Sequence, residues 1–157
     1  GGVVFFSDLK VYLRPFKSVK NGSRPEDFII ESEVVQFLTD ARRRFNRVIK
    51  NVSVWSKKTK ILSHGYDHAV PKPGGVFLGK RFEELGYNTS SRLPREIVRV
   101  VIDRYYDLLH DIERHSSGKF TVVDCRGACA NKWFDELHGN KNATRVVADR
   151  FATKMKR

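Results

Sequence analysis

Phe120-Thr121-Val122-Val123-Asp124 points to the fold class of this chain. A strand with one face in water alternates apolar and polar residues; this run is β-branched and apolar on both faces, as a buried parallel strand is. Gly118 separates it from the segment before, and a loop-like stretch follows. Upstream, Thr59-Lys60-Ile61-Leu62-Ser63-His64 reads as a second short strand ended by Gly65. Between the two lie a long connection and a helical pattern. That connection, residues 65–93, carries Pro71, Pro73, Gly74, Gly75 and Gly79. Loops of this length inside a compact domain are usually functional or disordered. A helix then starts near Pro94, a good first-turn residue. Its apolar stripe is Ile97, Val98, Val101, Ile102, Tyr105, Leu108, Leu109 and Ile112. The order strand, loop, helix, strand, loop, helix implies βαβ units and a parallel sheet covered by helices.

Two more helices complete the pattern. From Glu31, Val34, Leu38, Ala41, Phe45, Val48 and Val52 recur at three- and four-residue steps, one apolar stripe. Arg42, Arg43, Arg44 and Arg47 flank it as a solvated face. A last helix spans about residues 141–154, with Val146, Val147, Phe151 and Met155 inward. Residues 14–28, with Pro15, Gly22 and Pro25 among basic residues, read as a loop.

The chain has 157 residues, the size of one domain. Its net charge of +12 and sequence pI of about 10.0 favour polyanionic partners such as nucleic acid, anionic lipid or acidic glycan. No apolar run approaches the ~18 residues of a membrane span. The opening Gly1-Gly2-Val3-Val4 carries no signal-peptide pattern and no Met, and assigns no compartment. Cys125 and Cys129, with no other cysteine near, read as two free thiols rather than a zinc knuckle.

Chemistry concentrates in Trp133-Phe134-Asp135-Glu136-Leu137-His138-Gly139-Asn140. An Asp three residues before a His, in a loop between a strand and a helix, can accept the Nδ1–H bond and leave Nε2 free as a base. In a parallel sheet ligands collect at the C-terminal ends of the strands. His64 to Asp67 and Asp135 to His138 both follow such ends, so one crevice can hold both. His64 and His68 are four apart, but Gly65 and Pro71 argue against a helix there, so no metal is expected, and no cofactor. Lys57, Lys58 and Lys60 beside Trp55, and Arg150, Lys154, Lys156 and Arg157 at the end, suit single-stranded nucleic acid or anionic glycans.

Asp124-x-Arg126-Gly127, the 133–140 stretch and Val146-Val147-Ala148-Asp149-Arg150-Phe151 together resemble the last block of the SGNH (GDSL-type) hydrolases, which supplies the triad Asp and His. Ile61-Leu62-Ser63-His64-Gly65-Tyr66-Asp67 followed by Pro71 resembles a strand and loop of one branch of that family. The resemblance covers about residues 59–155. It implies a three-layer α/β/α, flavodoxin-like sheet of about five parallel strands, incomplete in this chain, with residues 1–157 forming the C-terminal part of a single domain. It implies a serine esterase or lipase of carboxylic esters, His138 the base, Asp135 its orienting partner, and Tyr66 and Asp67 bracing the wall. Gly139 stands where the family usually has Pro. No Gly-Asp-Ser occurs, so the nucleophile is expected upstream; Ser7 is a weaker alternative. Gly1-Gly2-Val3-Val4 aligns with the family's Gly-Gly-Asn-Asp oxyanion block, placing Gly2 at the site and Val3-Val4 where Asn-Asp belong. The expected partners are a small ester or acylated substrate and an N-terminal segment or partner chain that completes the sheet. The competing reading is a degenerate, non-catalytic domain that binds a polyanion or a protein.

Overall fold

The computed structural model describes residues 8–20 and 24–156. Among these, the elements in chain order are α1 (Leu9–Tyr12), 3-10 turns at Phe16–Ser18 and Pro25–Phe28, α2 (Glu31–Trp55), β1 (Ile61–Ser63), α3 (Gly79–Glu84), α4 (Leu93–His115), β2 (Phe120–Val122) and α5 (Lys141–Met155). β1 and β2 pair in parallel, Ile61 opposite Phe120 and Ser63 opposite Val122. The connection between them contains α4. The chain is therefore mixed α/β, with a two-stranded parallel sheet among the described residues.

The core is built on α4, whose buried residues run from Pro94 through Ile97, Val98, Val101, Ile102, Tyr106, Leu108 and Leu109 to Ile112. The expected stripe holds except at Tyr105, which is only partly buried and leaves Tyr106 as the fully enclosed ring. α2 contributes less. Only Val34 is fully buried, with Phe37, Leu38, Ala41, Phe45 and Ile49 packed partly against the core. Val48, expected in the stripe, is exposed. α2 and α4 are tied by Arg42 to Asp111 (2.6 Å) and Arg104 to Glu31 (2.6 Å).

Both strands are shorter than the apolar runs that announce them. Pairing closes with Val123 N–H donating to the Ser63 carbonyl (2.8 Å). The outer edge of β2 is sealed by side chains from the end of α4. Ser116 Oγ accepts from Phe120 N–H (3.1 Å), and Glu113 Oε1 accepts from Val122 N–H (2.9 Å). Alternation in a parallel ladder turns the Leu62 N–H and C=O away from β2, and no strand among the described residues meets them. Beside the C-terminal end of β1 a cleft of about 490 Å³ opens, lined by Phe37, Ala41, Phe45, Val48, His64 and Tyr105 among others.

Candidate functional site

The loop from Lys132 to Asn140 is closed on itself. Trp133 and Gly139 form an antiparallel bridge. Phe134 N–H donates to the His138 carbonyl (2.8 Å), and Asn140 N–H to the Lys132 carbonyl (2.7 Å). Asn140 then caps α5, its side-chain oxygen accepting from Asn142 N–H (2.9 Å) and Ala143 N–H (3.2 Å). Gly139 permits the closure: a Cβ there would lie 2.6 Å from Ala143 Cβ and 2.8 Å from Cys129 Sγ. Any side chain at this position would meet the same atoms, which accounts for the glycine.

Inside this loop Asp135 and His138 meet directly. Asp135 Oδ1 accepts the backbone N–H groups of Leu137 (2.8 Å) and His138 (2.7 Å). Oδ2 lies 2.8 Å from His138 Nδ1. A carboxylate can only accept, so Nδ1 carries the proton and Nε2 is the basic nitrogen. Burial works to raise the Asp135 carboxyl, but the bonds from the His138 ring and from the two backbone N–H groups outweigh it and hold the group below its ordinary value. The His138 side chain is 59% exposed, and Phe77 stands edge-on to its ring at 5.5 Å. Val76 (77% exposed) and Phe134 (78%) leave further apolar surface in the two segments that flank the imidazole.

Glu136, between these residues, carries no motif of its own and is the anchor of the long connection. It is buried, and its carboxylate accepts four backbone N–H groups: Lys72 (2.9 Å) and Gly79 (2.7 Å) on Oε1, Phe77 (2.9 Å) and Leu78 (3.0 Å) on Oε2. Its own carbonyl accepts from Val70 N–H (3.1 Å). The backbone wraps the carboxylate so closely that a Cβ on Gly75 would sit 2.1 Å from Glu136 Cδ, and one on Gly79 would sit 1.7 Å from the Lys72 carbonyl oxygen. The glycines at 75 and 79 are the sequence signal for this cradle. The wrap also carries Phe77 to His138, so one tetrapeptide holds the imidazole and organises the surface beside it.

Asp67 plays a bracing part beneath. It is buried, and accepts from His68 N–H (2.7 Å), Gly127 N–H (2.6 Å) and Cys129 N–H (2.6 Å), which ties the loop after β1 to the loop after β2. Tyr66 packs partly against the core. Tyr106 makes a second tie: its hydroxyl accepts from Gly65 N–H (3.2 Å) and Cys125 N–H (3.0 Å) and donates to the Gly65 carbonyl (3.1 Å). Arg126 lies over the Tyr106 ring at 4.4 Å and bridges Asp103 (2.8 Å) and Asp124 (2.6 Å). His68 Nε2 reaches Asp103 at 2.8 Å, whereas His64 Nδ1 contacts the Gly65 carbonyl. The two histidines thus serve different partners. Among the described residues no group of His, Cys, Asp and Glu is arranged to hold a metal. Cys125 and Cys129 are buried free thiols, and burial pushes the Cys129 thiol up to about 11.

Gly2 and Ser7 lie outside the described residues. Asp135 and His138 do not line the 490 Å³ cleft, which lies on the α2 side of β1. Comparison of the chain with models of known protein families, with curated proteins and with solved structures returns no match to any of them.

Proposed function

We propose that this chain carries the base and orienting carboxylate of an SGNH-type serine hydrolase of carboxylic esters. The observation that supports this most is the 2.8 Å Asp135–His138 pair on a loop locked at both ends, with Nε2 unclaimed among the described residues and the ring exposed. In the proposed step a serine hydroxyl, brought to Nε2 from outside the described residues, gives its proton to His138 as its oxygen attacks the ester carbonyl. Asp135 stabilises the imidazolium that forms. The imidazolium then returns the proton to the leaving alcohol, and water repeats the cycle on the acyl-enzyme. Val76, Phe77 and Phe134 offer apolar surface suited to an acyl group. The same reading takes the sheet as part of a larger three-layer, flavodoxin-like one. The open edge of β1 and the aromatic cleft beside it fit a further parallel strand, from an upstream segment or a partner chain.

A non-catalytic relative that binds a polyanion is the second reading. It is favoured by the absence of any serine hydrogen-bonded to His138 among the described residues and by the +12 charge. Hydrolysis of p-nitrophenyl acetate by the chain together with the segment that supplies the serine, and by the His138→Ala variant of the same protein, separates the two. The hydrolase reading expects His138→Ala to lower the rate by roughly 10²-fold or more, and fluorophosphonate labelling with peptide mapping to locate the serine. Equal, background-level rates would remove the hydrolytic reading for these 157 residues.

A further inference from the structure

From Ala41 to Tyr66 the chain has Arg or Lys at eight positions (42–44, 47, 50, 57, 58 and 60) and no Asp or Glu. Arg42 and Arg43 find carboxylates elsewhere, Asp111 and Asp40. For Arg47, Lys50, Lys57, Lys58 and Lys60 the described residues provide no ion pair, and all five side chains are exposed. Arg43, Arg47, Lys50 and Val54 follow one another at four-, three- and four-residue steps, which places them on one face of α2. That face ends in two apolar residues left in water: Val54 is 77% exposed and Trp55 86%. The loop after them, carrying Lys57, Lys58 and Lys60, is held by Lys119 Nζ, which donates to the Ser56 and Lys57 carbonyls.

We propose that this tip, Val54 and Trp55 ringed by lysines, seats the protein on an anionic lipid surface. An indole beside an aliphatic side chain at a helix end matches the amphipathic residues that settle at the headgroup boundary, and lysines on long stems reach the phosphates around them. The alternative polyanion, single-stranded nucleic acid, asks for a platform of aromatic rings on which successive bases stack. Here Trp55 is the sole ring in the exposed apolar tip, and its neighbour Val54 has no stacking face but does have a use in hydrocarbon. The tip also lies at the opposite end of the sheet from the candidate site. Residues 56–60 precede the N-terminal end of β1, whereas Asp135 and His138 follow the C-terminal end of β2. A membrane held at the tip leaves His138 open to solvent. The inference is independent of the hydrolase reading.

The test is co-sedimentation of the chain with vesicles of phosphatidylcholine alone and of phosphatidylcholine with phosphatidylserine, at low and high salt, beside fluorescence anisotropy with oligo(dT). The expected result is salt-sensitive binding to the phosphatidylserine vesicles only, with a blue shift of tryptophan emission. Trp55→Ala should abolish the shift, and each Lys→Gln change at 57, 58 or 60 should weaken partitioning about fivefold. These side chains are exposed, so circular dichroism of the variants should match the parent. No preference for anionic over neutral vesicles overturns the proposal. So does binding unaffected by Trp55→Ala, and so does salt-sensitive binding to oligo(dT) without vesicle binding.

Discussion

At Glu136 one buried carboxylate satisfies four backbone N–H groups of a connection that has no regular ladder of its own over residues 65–78. Buried donors without partners are costly, roughly 1–3 kcal/mol for each group left unsatisfied. Glu136→Ala abandons two buried donors, Leu78 and Gly79, and two part-buried ones, Lys72 and Phe77, and is expected to destabilise the chain by more than about 3 kcal/mol, read as a drop in the urea midpoint. Glu136→Gln keeps the shape but puts an NH₂, which cannot accept, against one pair of donors. It should therefore fall between the parent and the alanine variant. Equal midpoints for all three proteins would show that the cradle contributes nothing. Asp135, one residue earlier, faces the opposite task. Its Oδ2 serves an exposed ring and its Oδ1 two backbone N–H groups of the same short loop, so its removal should touch the imidazole's orientation and the local turn far more than the fold.

Among the elements, α4 and α2 illustrate how far periodicity carries. The α4 stripe is buried almost residue for residue as its spacing predicts, since it is packed by the sheet and by the segments around it. The α2 stripe is equally regular, yet only Val34 is fully buried and Val48 faces water. Periodicity states which face is apolar; it does not state that something covers that face. The last helix, α5, hangs on its cap. With Asn140 supplying two of the orphan N–H bonds at the first turn, Asn140→Ala should cost about 1 kcal/mol. Because the same residue closes the 132–140 loop through its backbone, the backbone bond to Lys132 survives the change. The prediction is lower thermal stability with the Asp135–His138 bond retained, checked by the melting temperature and by the His138 imidazole NMR shifts. An unchanged melting temperature would refute the capping role.

Over the whole molecule, carboxylates tied to cations and N–H groups set the response to acid. Burial opposes ionisation of Asp103 and Asp124, but the hydrogen bonds and charge of Arg126, with His68 also on Asp103, hold both below their ordinary values. Asp135 is held low by His138 and its own loop. A depressed carboxyl binds fewer protons folded than unfolded. Its stabilisation is thus fully present above the ordinary carboxylate range, about pH 4, and is lost as pH falls through the lowered values. The urea midpoint should therefore decline steadily on acidification below about pH 4. A midpoint that is flat or rises there would contradict these assignments.

The local elements and one local pair are legible in the amino-acid order alone. The 3.6-residue stripes mark three long helices, the doubly apolar run marks β2, and the three-residue spacing of Asp135 and His138 lets them bond without help from distant chain. Partners far apart were another matter. That Glu136 would be wrapped by residues 70–79, that Asp67 would hold Gly127 and Cys129, and that Tyr106 rather than Tyr105 would lie buried between the strand ends depend on contacts dozens of residues apart. No local period encodes such contacts. They are fixed in the folded chain, because a buried polar group is defined by where its hydrogen-bond partner comes to rest, and that position is set when the two strands align and the connections between them fold back.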